Sequence, residues 1–333
     1  MDNVTHTLIG VILSRTGLNR LTPHAAAILM LSANAADIDV VSALGGSLRY
    51  LECHRGITHS LIAIPLMAML PVLLVWLLAR TRLPWRRAYL VSLAGAASHP
   101  LLDWTNMYGV RLLSPWSGCW YRADIHSVVD AWIWAVLLLA LAAPALSRLV
   151  SSEIGARPGT GRGWAVLALC FFATYSFGRY LLHSRVVATL DARLYGNEAP
   201  LRVAAIPTPF NPFRWVGLVE TEGFYFVYDD LNLLREFDPS GGSVFLKPPA
   251  SPEIERARDT ETFRAFLAFS QYPLWRVTPL AVPEGGKRVE VMDLRFGSPP
   301  KPRFVATAVL DHALRVERSW FAFGDLSVPG SRR

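Results

Sequence analysis

Residues 60 to 79 (Ser-Leu-Ile-Ala-Ile-Pro-Leu-Met-Ala-Met-Leu-Pro-Val-Leu-Leu-Val-Trp-Leu-Leu-Ala) run for 20 positions without a charge. An α-helix of that length covers the hydrocarbon core of a bilayer, and a helix satisfies its own backbone there without help from water. Residues 131 to 147 and 164 to 178 read the same way, and 88 to 102 is shorter and rich in small residues, as helices packed inside a membrane bundle are. With 52% hydrophobic residues, 18% charged residues and a mean hydropathy of +0.29, an ordinary soluble enzyme is excluded. The net charge of +7 does not point to nucleic acid, because Arg80, Arg82, Arg86, Arg87, Arg148, Arg157 and Arg162 gather in short loops beside apolar runs. Basic loops of that kind are what cytoplasmic connections carry. The three cysteines, Cys53, Cys119 and Cys170, form no CxxC pair.

These patterns predict an all-α polytopic membrane domain, a helical bundle over residues 1 to 184, followed by a smaller α+β extramembrane domain over 185 to 333. The first 40 residues read as a short helical hairpin with Arg15 and Arg20 in its turn. Beyond residue 185, Pro200, Pro207, Pro209 and Pro212 punctuate short segments. Stretches starting at Glu220, Arg288 and Arg303 are β-branched, aromatic and partly alternating, as half-buried strands are. Residues 252 to 271 read as one amphipathic helix.

Polar chemistry concentrates in the first part of the chain. Of the eight histidines, six fall within the first 126 residues: His6, His24, His54, His59, His99 and His126. His99 and Asp103 are four apart, which puts both on one helical face about one turn from each other. Imidazole and carboxylate bind zinc, iron or manganese, and on a membrane helix they are costly unless they meet a partner. Taken alone, the pair also fits a helix-end histidine beside a capping aspartate. Asp37-Ile38-Asp39 suits a cation approached from a loop and equally suits a turn. Here Asp39 is the preferred direct ligand, and Asp37 bridges to the ion or stands behind it. In His54-Arg55-Gly56-Ile57-Thr58-His59-Ser60, His59 is the better ligand, and His54 or Arg55 would meet an anionic substrate. His6 joins them, while Asp124 and His126 supply either a second metal position or acid/base groups. If the arginine-rich loops are cytoplasmic, all these segments end on the opposite, outer face. That convergence makes a metal site the leading expectation.

The ordered set Thr5-His6-Thr7, Asp37-Ile38-Asp39, His54-Arg55-Gly56-Ile57-Thr58-His59-Ser60 and Ser98-His99-Pro100-Leu101-Leu102-Asp103 resembles the family of membrane-bound, metal-dependent hydrolases described as LexA-binding inner-membrane proteins. The resemblance covers roughly residues 1 to 180. That family is distantly similar to zinc-dependent phospholipase C and P1-type nucleases, helical enzymes with multi-zinc sites. The resemblance implies a phospholipase C/P1 nuclease-like fold, with Asp39, His59, His99 and Asp103 on one ion, His6 beside a neighbouring ion and His126 on a further one. This chain lacks the N-terminal tryptophan those soluble enzymes use as a ligand, since Met1-Asp2-Asn3 precedes the first histidine.

The resulting expectation is a bacterial inner-membrane hydrolase carrying one to three divalent ions, zinc first, that acts on a phosphoester of a membrane lipid or amphiphile. Metal-activated water would attack, with Asp37 or Asp124 as its base and His54 or Arg55 on the substrate. The site and the C-terminal domain would lie on the extracytoplasmic side, the latter open to a protein partner. The alternative is a non-catalytic membrane scaffold with a structural metal.

Overall fold

The computed structural model describes residues 1–153 and 161–324. Arg157, one of the expected loop arginines, lies outside them. The helices are α1 (Asn3–Arg15), α2 (Ala25–Ser32), α3 (Ser47–Cys53), α4 (Ile64–Ala79), α5 (Trp85–Trp104), α6 (Ala131–Glu153), α7 (Arg162–Asp191), α8 (Pro252–Arg258) and α9 (Glu261–Phe269). The strands are β1 (Arg202–Pro207), β2 (Arg214–Glu220), β3 (Phe224–Asn232), β4 (Ser243–Leu246), β5 (Pro273–Pro279), β6 (Lys287–Asp293), β7 (Phe304–Leu310) and β8 (Val316–Phe323). They fall into two compact units: residues 1–39, 55–184 and 207–213 in one, and 40–54, 185–206 and 214–333 in the other.

In the first unit α1 packs on α2, α5 and α6, while α2 and α4 both pack on α5. Ile12, Leu102, Ile133 and Leu137 fill one apolar core, and Ile28, Leu29, Val72 and Val91 fill another. Two glycines set how closely these helices approach. A Cβ on Gly10 would stand 2.8 Å from the Leu29 carbonyl oxygen, and one on Gly95 would stand 2.1 Å from Ser32 Oγ. Both crossings therefore admit only a hydrogen at that position.

Among the described residues three helical stretches are long and apolar enough to cross a membrane: Leu61–Ala79, Ala131–Arg148 and Arg162–Asp191. Leu77 and Leu78 on α4, at 61% and 74% exposed, show how apolar their outer faces are. The sequence expectation of an all-α polytopic bundle needs correction. The 88 to 102 stretch belongs to a helix that opens on Trp85-Arg86-Arg87 and closes on His99 and Asp103, so α5 is not one of the apolar spans. The first hairpin arm is α1, but its partner α2 ends at Ser32 and bends by 44° into a 3-10 segment, Ala35–Gly45. The chain between α5 and α6 is irregular, with isolated bridges at Asn106–His126 and Val110–Tyr121.

The second unit is built on two four-stranded antiparallel sheets in the orders β1-β2-β3-β4 and β5-β6-β7-β8. The expected single helix over 252 to 271 is two. Thr260 caps α9 by accepting from Phe263 N at 3.3 Å, which ends α8 one turn earlier. Phe263 and Phe266 bury the inner face of α9 against β7 and β8, and α3 packs there too, with Ser47 Oγ donating to the Phe321 carbonyl at 2.6 Å.

Candidate metal centre

Four elements bring the ligand-type residues of the first unit together. Asp2 caps α1, accepting from Val4 N and Thr5 N, which sets His6 in the first turns of that helix, fully buried. Asn34 Nδ2 donates to Thr7 Oγ1 at 3.0 Å and ties the start of the 3-10 segment, with Asp37 and Asp39, to α1. His59 ends the short turn Ile57–His59, and His99 and Asp103 sit one turn apart on α5. Gly95, one turn before His99 on the same face, lets α5 close on α2. The His99 Nδ1–H then donates to the Ala33 carbonyl at 2.6 Å.

That bond decides which nitrogen of His99 faces the site. A carbonyl only accepts, so Nδ1 carries a proton and Nε2 points inward. His59 is oriented in the same way: its Nδ1 lies 3.2 Å from Asp39 Oδ2, a carboxylate that also accepts from Arg55 N at 3.0 Å and from Thr58 Oγ1 at 3.1 Å. The two Nε2 atoms meet at 3.0 Å. Around them stand Asp37 Oδ1, 3.3 Å from His59 Nε2 and 3.6 Å from His99 Nε2, and Asp103 Oδ2, at 3.5 and 3.4 Å. Two imidazole nitrogens and two carboxylate oxygens that converge in this way repel unless a proton or a metal cation lies among them.

His6 extends the cluster. Its ring stacks on that of His99 with centroids 3.8 Å apart, and its Nε2 lies 3.4 Å from Asp103 Oδ1. Neither ring nitrogen of His6 makes a hydrogen bond, and Asp103 Oδ2 makes none either, although all three atoms are buried. Orphaned buried acceptors of this kind fit a second ligand group, His6, His99 and Asp103, beside the group of Asp37, His59 and His99.

The electrostatics follow from burial and neighbours. Burial, together with charged His99 and the Met1 amino group nearby, lowers His6 to about 3, so its ring is neutral. Burial acts to lower His99 as well, but Asp103 and Asp37 beside it prevail and raise it to about 9. Burial acts to raise the Asp103 carboxyl, whereas Arg55, the Met1 amino group and His99 hold it well below the usual carboxylate range.

The other residues expected at the site have different neighbours. Arg55 is buried, and its guanidinium engages Asp103 Oδ1 at 3.0 Å, Asn106 Oδ1 at 3.0 Å and the Gly109 carbonyl at 3.2 Å. It is a counter-charge and brace for Asp103, not an arm reaching toward a substrate. The His54 ring stacks on that of Tyr50, with centroids 4.6 Å apart. Asp124 pairs with Arg122. His126 lies 3.5 Å from Asp130 and 2.9 Å from Ser176 Oγ, and neither Asp124 nor His126 enters a metal-capable group among the described residues. Sequence reasoning missed Gly95, Asn106 and Ser176. A small-residue helix hinted at the first, but nothing local marks the other two.

The comparisons with known proteins bear on this helical unit first. The model of the YdjM inner membrane protein family matches residues 1–186. The chain belongs to that family. The YfhP C-terminal alpha/beta plait domain matches residues 252–323, which hold α8, α9 and the second sheet. The uncharacterized protein YfhP of Bacillus subtilis (strain 168) is 24% identical over 337 residues, covering 96% of this chain and 94% of YfhP. No solved structure matches. The likeness to phospholipase C and P1-type nucleases therefore rests on motifs alone, and neither hydrolysis nor LexA binding is named by any of these matches. Membrane association is carried both by the inner-membrane family and by the apolar helices.

Proposed function

We propose that this protein is an inner-membrane, metal-dependent hydrolase that cleaves a phosphoester of a lipid or amphiphile. The observation that carries the reading is the convergence of His59 Nε2, His99 Nε2, Asp37 Oδ1 and Asp103 Oδ2, with the two imidazole nitrogens 3.0 Å apart. His59, His99 and Asp103 would hold one ion, zinc first, with a position left to water beside Asp37, and His6 with Asp103 would hold a neighbour. A divalent ion held there would lower the pKa of a bound water and polarise a phosphoryl oxygen. Asp39, behind His59, fixes that ring and keeps its Nε2 inward; Arg55 does the same for Asp103. Asp37 is the most open carboxylate of the cluster, with 14% of its side chain exposed, and orients or deprotonates the attacking water. Ile38, Ile57, Leu61 and Ile62, each about half exposed, border the ligand segments and suit a substrate with an apolar portion. The site would face the extracytoplasmic side.

A second reading draws on a specific observation. Arg55 pairs with Asp103, and His99 raised to about 9 carries a proton. The carboxylates can thus be balanced without any metal, as in a membrane scaffold closed by a polar network. Zinc-loaded protein in mixed micelles with a phospholipid, beside chelated protein, separates the two. Metal-dependent release of the headgroup or diacylglycerol is expected. Fully metal-loaded protein that turns over neither phospholipid nor a soluble phosphodiester would sink the hydrolase and leave the scaffold.

A further inference from the structure

Beside the metal centre, in the same helical unit, a second polar constellation has the layout of an acyl-transfer site. We propose that Ser176, His126 and Asp130 form a nucleophile–base–acid triad that attacks the ester carbonyl of an acyl lipid. Ser176 Oγ lies 2.9 Å from His126 Nε2, and His126 Nδ1 lies 3.5 Å from Asp130 Oδ2. The order of contacts is the one such chemistry requires: hydroxyl to one ring nitrogen, carboxylate to the other. Nδ1 is a buried ring nitrogen that makes no hydrogen bond and faces a buried carboxylate, which fits a contact that tightens when charge develops on the ring.

The surroundings hold the three groups in place. Asp130 accepts from Trp132 N at 3.1 Å and Ile133 N at 3.3 Å at the start of α6, and from the Tyr175 hydroxyl at 3.3 Å. The Tyr175 ring stacks on His126 with centroids 5.4 Å apart. Arg179 Nε donates to the Ile125 carbonyl at 2.8 Å and anchors the strand of chain that carries His126. Burial lowers His126 and keeps its ring neutral, as a base must be. Ser176 is half-buried, and Ala173 and Tyr180, one turn to either side on the same face of α7, are exposed. Since α7 is long and apolar enough to cross a membrane, that open face would meet acyl chains.

The step balances with water as the co-reactant. Oγ bonds to the carbonyl carbon as its proton passes to Nε2, and the π pair moves to the carbonyl oxygen. The ester C–O bond then breaks, and the alcohol leaves with the proton from Nε2. Water hydrolyses the acyl-serine by the reverse proton path and releases the fatty acid.

The test uses a fluorophosphonate probe on the full-length protein in detergent, with the adduct located by peptide mass spectrometry. Label on Ser176, absent from Ser176→Ala and slowed at least about 100-fold in His126→Gln, is expected. Thermal melts of both variants check that they fold. Failure of wild-type protein to take label at Ser176 overturns the triad whatever the variants do. Equal labelling of Ser176 in folded His126→Gln overturns it too, because the serine would then be merely accessible.

Discussion

Both units of this protein bury carboxylates, and they neutralise them differently. In the second unit Asp293 and Arg295, both fully buried, close on each other, with Arg295 Nη2 donating to Asp293 Oδ2 at 2.7 Å and Nε at 3.0 Å. Asp293 also accepts from Gln271 N at 3.0 Å, and Glu220 meets Arg202, Lys247 and the Tyr225 hydroxyl. These buried carboxylates are answered by side chains of the fold. In the helical unit, by contrast, ligand-type atoms converge: two imidazole nitrogens at 3.0 Å, a buried carboxylate oxygen and a histidine ring without hydrogen bonds. Where ring nitrogens and carboxylates converge in this way, a proton or a metal cation among them would relieve the repulsion.

The largest expected effect breaks that contrast at its sharper end. Wild-type protein should carry near-stoichiometric metal and His99→Ala/Asp103→Ala none, read by elemental mass spectrometry of the detergent-purified chain. If metal is equally absent from both, after reloading, the convergence is a proton-bridged network. Asp293→Ala is the counterpart: with Arg295 left buried and unmatched, the second unit should lose about 3–5 kcal/mol in a thermal or denaturant melt, while the metal stays bound below the transition.

Smaller changes sharpen the comparison. Gly95→Val should force α5 away from Ser32 and Leu29, costing about 1–3 kcal/mol and lowering metal retention, because His99 would lose its hold on Ala33. Asp39→Asn should weaken metal affinity by about 10–100-fold without removing the ligands, since it acts only on the orientation and basicity of His59. A competition titration with a chromophoric chelator measures it, and an unchanged affinity would show that Asp39 does not act through His59. The smallest effect is in protons. Metal-free His99, raised to about 9, is charged at neutral pH, so loading the first ion should release about one proton and affinity should fall as pH falls. Calorimetry in buffers of different ionisation enthalpy counts that proton.

Much of this was readable from residues in order. The uncharged 60 to 79 run, the i, i+4 pair His99 and Asp103, and the strands that begin near Lys287 and Phe304 each declare themselves by period and composition. Asp39, preferred from the sequence as the direct ligand, stands behind His59 instead, so the roles of the two aspartates were not readable. Asp37-Ile38-Asp39 does not say which carboxylate faces the imidazoles, and the answer came from the 44° bend after α2, which turns Asp37 toward both Nε2 atoms and Asp39 toward Nδ1 of His59. The setting of Arg55 was hidden for a related reason, since a basic residue in a loop gives no sign that its guanidinium is buried against Asp103. Ser176 sits in an apolar run 50 positions from His126, and pairing over that separation leaves no local trace.

Sequence alone determined the kinds of element and the presence of ligand chemistry, because hydrophobic period and side-chain type are local properties of the chain. It also placed the ligand-type residues in the helical half. Tertiary structure decided which ring nitrogens point inward, which carboxylates meet them and which residue braces which. Those choices depend on distances between segments far apart in sequence, set here by glycine-mediated contact between α2 and α5, and a difference of about an ångström separates a ligand from its support.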